Sequence, residues 1–140
     1  MKNPIARNII AVLSGIILGT VANGAIIMLS GFVVPLPEGI DPNDQESLTA
    51  NMHLLQPQHF LMPFLAHALG TLVTVLVAVR VAATAHKPIA IGLGIYWLLM
   101  GSYAAMVIPA PQWFVIADLA LAYLPMAWLG YRLMYKHQTL

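Results

Sequence analysis

Asp118 is the only acid of this chain set inside an apolar stretch, and it is the residue best placed to do chemistry. Burial raises a carboxyl's hold on its proton, so such a group needs a partner. His67 is the natural one, because imidazole changes charge near neutral pH. Asn23, Ser102, Tyr103 and Thr71 also lie in apolar surroundings and can hydrogen-bond to the pair. Two protonation states are open to it: an Asp–imidazolium ion pair, or a neutral pair sharing one proton. The same residues admit a plainer role as a polar lock that keeps helices in register.

A second set, His53, His59 and Glu46, has the ligand types for zinc or copper. Its spacing argues against a ready-made site. His53 and His59 straddle Pro57, and His59 is about 12 Å from His67 if both lie on one helix. A divalent metal there is the weaker alternative, and no other cofactor is predicted. A bis-histidine haem lacks its second buried ligand. His86 and His137 lie among cations and read as interfacial.

Composition says what must carry these groups. Of 140 residues, 60% are apolar and 8% charged, with six Lys+Arg against five Asp+Glu. A soluble domain carries about 25% charged residues. The deficit excludes a disordered chain, a nucleic-acid binder and an ordinary cytosolic enzyme. Cysteine is absent, which removes disulfides and thiolate chemistry. No phosphate-binding loop, HExxH pair or serine-nucleophile motif is present.

Four stretches reach the roughly 20 apolar residues that cross a bilayer as a helix: about 9–31, 60–80, 89–108 and 113–132. The expected fold is all-α, a single polytopic domain over 1–140 with four transmembrane helices. The first apolar run is longer than the 7–15 residues of a signal peptide and reads as an uncleaved helix. All six cations flank one side of these spans, whereas Glu38, Asp41, Asp44 and Glu46 share a 35–57 loop without Lys or Arg. The positive-inside rule then places both termini in the cytoplasm of a bacterial-type inner membrane, with the acidic loop outside. Trp113, Tyr131 and Tyr135 suit the aromatic belts. Asp41 followed by Pro42 reads as a helix start, and Leu48, Met52 and Leu55 give a short amphipathic helix ended by Pro57.

Counting from the span ends at 1.5 Å per residue puts Asp118 roughly 8 Å and His67 roughly 10 Å below the outer interface. Ser102 and Tyr103 fall at about 7–9 Å, and Asn23 at about 10–15 Å. Each helix is thus expected to bring one polar group to a common level. Pro63 and Pro125 free carbonyls near that level and can bend their helices. Small residues recur at helical spacing: Gly15 with Gly19, Thr20 with Gly24, then Ala66, Gly70, Thr74 and Ala78, and finally Gly94, Gly101 and Ala105. Such stripes let backbones approach closely.

Three functions fit. The first is proton-linked transport or permeation of a small solute by a homo-oligomer, with Asp118 and His67 titrating. The second is an accessory or assembly subunit that binds another membrane protein or a lipid. The third is a metal-binding protein or enzyme at the outer face.

Overall fold

The computed structural model describes residues 3–41 and 44–138, with side chains as far as Met134. Lys2 and Pro42, and the side chains of Tyr135, Lys136 and His137, lie outside the described residues. All regular structure among the described residues is helical: α1 (Pro4–Val33), α2 (Gln45–Asn51), α3 (Leu61–Val81), α4 (His86–Val107), α5 (Gln112–Leu121) and α6 (Leu124–Gln138). Four segments are long and apolar enough to cross a membrane: Pro4–Val33, Pro57–Val81, His86–Val107 and Gln112–Met134.

The boundaries depart from expectation where polar side chains cap them. α1 starts five residues before Ile9, because Asn3 Oδ1 accepts from the N–H of Ile5 at 2.9 Å and Pro4 follows as the first helical residue. Asp44, not Asp41, caps α2, accepting from Glu46 N–H at 3.0 Å. α2 ends at Asn51, a 3-10 turn follows over Met52–Leu54, and Pro57 opens a further turn (Pro57–Phe60) that runs into α3. Leu48, Met52 and Leu55 are each half-buried, as expected of one face.

α3 is the central element and packs against α1, α4, α5 and α6. The small-residue stripes make its seam with α1. A methyl group on Gly15 would lie 2.6 Å from the Thr74 carbonyl oxygen and 3.0 Å from Ala78 Cβ. On Gly19 it would collide with Thr74 Oγ1. The Thr20–Gly24 pair faces away: Thr20 is exposed and nothing lies within 4 Å of the space beside Gly24. On α4, Gly94 meets Ala127 and Leu124, and Gly101 meets the Tyr123 ring.

The end of the bundle that carries Arg7, Arg80, Lys87 and Arg132 is tied by α1. Arg7 Nε donates to the Val81 carbonyl at 2.7 Å. Asn8 Oδ1 accepts from Ala83 and Thr84 N–H at 2.9 and 3.2 Å, and its amide donates to Thr84 Oγ1 at 2.9 Å. These bonds hold the α3–α4 turn, where Ala85 takes a left-handed conformation with φ 56°. The interior of this half is aliphatic, filled by Val75, Ala78, Val79, Ala90, Leu93 and Ala127.

The fourth span is not one straight helix. It bends at Ala122 and Tyr123, between α5 and α6. Pro125 is the cause: its ring cannot donate to the Leu121 carbonyl and crowds it. Pro63, by contrast, falls in the first turn of α3, where no helical N–H is lost, and no bend follows.

Candidate functional site

α5 enters from the acidic end with Phe114 and Asp118 four residues apart on its buried face. α3 leaves the same end, with Phe60 just before its first residue and His67 seven residues further on. The helical repeat therefore sets both pairs in one column, and the two columns face each other. Phe60 packs 4.9 Å from Phe114 and edge-on to Trp113 at 5.5 Å, ring centre to ring centre. Beneath this aromatic cap lie the acid and the imidazole.

His67 Nδ1 is 2.9 Å from each carboxylate oxygen of Asp118. Asp118 is 5% exposed, while the His67 side chain is 25% exposed. The third member comes from beyond the bend. The Tyr123 hydroxyl donates to Asp118 Oδ2 at 2.7 Å, and its ring stacks on His67 at 5.9 Å. Tyr123 is wholly buried and fits because Gly101 of α4 has no side chain to obstruct its hydroxyl.

Each oxygen of Asp118 is thereby engaged by a donor. A proton on Nδ1 donates to the carboxylate and leaves Nε2 with a lone pair. Nε2 has no hydrogen-bond partner among the described residues, and no buried side-chain nitrogen or oxygen there lacks one. Nε2 therefore reaches the molecular surface. A carboxylate that fixes the tautomer and supports the positive ring is the arrangement that makes imidazole a competent base at its far nitrogen.

The remaining sequence candidates fall elsewhere. Thr71 is buried but donates to the His67 carbonyl at 2.8 Å, bracing the helix without touching the pair. Asn23 lies against Gly70 in the α1–α3 seam and makes no hydrogen bond to Asp118 or His67 among the described residues. Ser102 donates to the Leu98 carbonyl at 2.8 Å on its own helix. Tyr103 is 65% exposed and points away from the cluster. Of the residues expected in a common belt, the structure brings together the acid and the imidazole, and the partner completing them is Tyr123.

The outer histidines do not gather around an ion. No group of three or more His, Asp or Glu side chains with metal-binding geometry occurs among the described residues, so His53, His59 and Glu46 do not form one. His59 instead serves as a cap, its Nδ1 accepting from Gln56 N–H at 2.8 Å.

A second polar chain runs one to two turns deeper. Trp97 Nε1 donates to Thr74 Oγ1 at 2.9 Å, and that hydroxyl donates to the Gly70 carbonyl at 2.9 Å. This chain joins α4 to α3 beside Gly19 of α1 and has no titratable member.

Fold and site together define an all-helical bundle of four candidate spans with a buried acid–imidazole–phenol cluster near its acidic end. No protein-family model, curated protein or solved structure matches the chain.

Proposed function

We propose that the chain is a multi-pass membrane protein whose His67, held by Asp118 and Tyr123, takes up and releases a proton at Nε2, in step with passage of a small solute. The observation that carries this reading is the double engagement of Asp118 beside an imidazole nitrogen left without a partner. An acid inside the hydrocarbon costs about 2.5–3.5 kcal/mol on insertion scales, an expense usually tied to a task. Proton loading changes the charge on the ring that stacks against Tyr123. The bend at Ala122–Tyr123 gives α6 a hinge through which that change can move the helix.

The aliphatic filling of the basic half leaves no polar route through a single copy, so solute passage requires an interface between copies. A homo-oligomer is therefore part of the proposal. The positive-inside rule supports a cytoplasmic basic end and a site open to the outer face.

The same aliphatic half favours a second reading, a subunit that senses protons and assembles with another membrane protein. One experiment separates the two. In proteoliposomes holding a pH-sensitive dye, external acidification is expected to drive proton entry through the wild type, and Asp118→Asn and His67→Gln to abolish it. Unaltered flux in a folded Asp118→Asn protein would sink the proposal. An inert wild type that purifies stoichiometrically with one partner would favour the second reading.

A further inference from the structure

Two histidines eight residues apart are held by opposite kinds of partner. His67 turns Nδ1 toward the Asp118 carboxylate, an acceptor, so a proton on that nitrogen makes the contact. His59 turns Nδ1 toward a donor, the N–H of Gln56 at 2.8 Å. That nitrogen must keep its lone pair, which puts the single proton of the neutral ring on Nε2. An imidazolium donates at both nitrogens and accepts at neither. Full protonation therefore reinforces the contact at His67 and breaks the one at His59.

The contact at His59 closes the turn that carries the roof of the cluster. His59 N–H returns to the Gln56 carbonyl at 3.0 Å, so the same two residues are joined from both sides. Pro57 between them has no N–H to add. Phe60, the next residue, is buried against Phe114 and Trp113 above Asp118 and His67. A positive ring in this opening turn is also opposed by the positive end of the helix dipole. His59 is half-exposed, so protons from water reach it without entering the bundle.

No neighbouring group offers the charged ring a counter-ion. The turn packs against α3 and, through the Phe60 ring, against α5. Their ionisable side chains are His67 and Arg80 on α3 and Asp118 on α5. Arg80 is at the opposite end, and Asp118 is engaged by His67 and Tyr123. The preceding helical turns carry Glu46 and His53, and His59 forms no ion pair with either among the described residues.

We propose that His59 is a proton-released latch: on acidification of the acidic-loop side it lets go of Gln56, and the Phe60 roof loosens over His67 and Asp118. The consequence for proton flux rests on the role given to His67 above, whereas the latch itself is tested on the turn. Amide hydrogen exchange over residues 56–60 is followed in the full-length protein in lipid vesicles, at about pH 8 and about pH 5, with intrinsic exchange rates divided out. His59→Gln is the comparison, because Gln is an ordinary residue at this capping position and its acceptor does not ionise. Opening of the wild-type turn is expected to rise about ten-fold at the lower pH, the loss of one hydrogen bond, and to stay level in His59→Gln. His53→Gln, on the other outer histidine, is expected to keep the wild-type response.

An opening that does not change with pH overturns the proposal, as does a rise that persists in His59→Gln. A response lost in His53→Gln and kept in His59→Gln also overturns it, because the titrating ring is then the wrong one. In the liposome assay, His59→Gln is expected to keep its flux but to lose the part of the acid-side increase that the latch supplies. A turn that opens on acidification in a protein without proton flux leaves the latch standing and sinks the transport reading. Flux that needs Asp118, in a protein whose turn ignores pH, does the reverse.

Discussion

Two seams meet on α3, and they are made of different materials. Against α1, α3 offers Gly70, Thr74 and Ala78 to Gly15 and Gly19, so along these residues the contact is close backbone packing, with no ionisable group until Arg7 meets the Val81 carbonyl at the basic end. Against the α5–α6 bend it offers His67, and the contact is an imidazole, a carboxylate and a phenol bound to one another. The first seam depends on the absence of side chains and tolerates almost no added atom. The second depends on three particular polar side chains and on a helix that is not straight. A closely packed backbone seam serves as a fixed support, whereas a hydrogen-bonded cluster with an unpartnered nitrogen can change state. On the proposed reading, the first seam is the support and the second the switch.

The largest expected effect is on the support. Gly19→Leu puts a side chain where Thr74 Oγ1 and the Gly70 carbonyl already sit, and α1 packs mainly on α3. A loss of about 3 kcal/mol or more is expected, seen as a collapsed thermal transition in detergent. Gly24→Ala, whose new methyl meets open space, is expected to stay within about 0.5 kcal/mol. Equal losses at the two glycines would erase the contrast between a packed and an open stripe.

Next in size is Gly101→Ala, which attacks the other seam by the same means. Its methyl group would overlap the Tyr123 hydroxyl and ring, so the phenol must leave Asp118 or α4 must move. A loss of about 1–3 kcal/mol is expected, together with proton flux below that of wild type in the liposome assay. Full flux at wild-type stability would show that Tyr123 has no part in the cluster.

The two seams also differ in how far they were legible in the sequence. Small residues four apart are a local signal, and those on Gly15, Gly19, Gly70, Thr74 and Ala78 meet in space. The Asp118–His67 pair was legible from depth and residue type alone. Tyr123 was not, because five residues along a straight helix turn roughly 140° and would point it away from Asp118. Pro125 was the available signal, since the bend it causes brings the ring back. Tyr103 shows the converse error: depth was counted and direction was not. Two residues from Gly101, it is rotated roughly 200° around α4, so the inward glycine already marked it as outward. At the basic end, nothing in the sequence singles out Asn8. Its role in holding the Ala83–Thr84 turn is a tertiary contact without a local pattern.

Smaller effects sharpen the distinction between a switch and a brace. Asn8→Ala removes three hydrogen bonds at the exposed α3–α4 turn, where water can replace part of each. A loss of about 1 kcal/mol in the thermal transition is expected, with proton flux unchanged. Tyr123→Phe removes a single bond, yet it is expected to lower flux while costing only about 1 kcal/mol, because polar pairs between membrane helices average roughly 0.6. If Asn8→Ala lowered flux as much as Tyr123→Phe, flux would be following stability and not the cluster.

The smallest expected effect belongs to Tyr103→Phe. The residue is 65% exposed, and no hydrogen bond ties its hydroxyl to Asp118 or His67 among the described residues. Stability within about 0.5 kcal/mol of wild type and unaltered flux are expected. Tyr103 and Tyr123 carry the same hydroxyl, so the paired substitutions hold chemistry constant and vary only position. A flux defect in Tyr103→Phe alone would move the titrating site to the outer face of α4. A defect in Tyr123→Phe alone would place it at the bend, where the phenol, carboxylate and imidazole already touch.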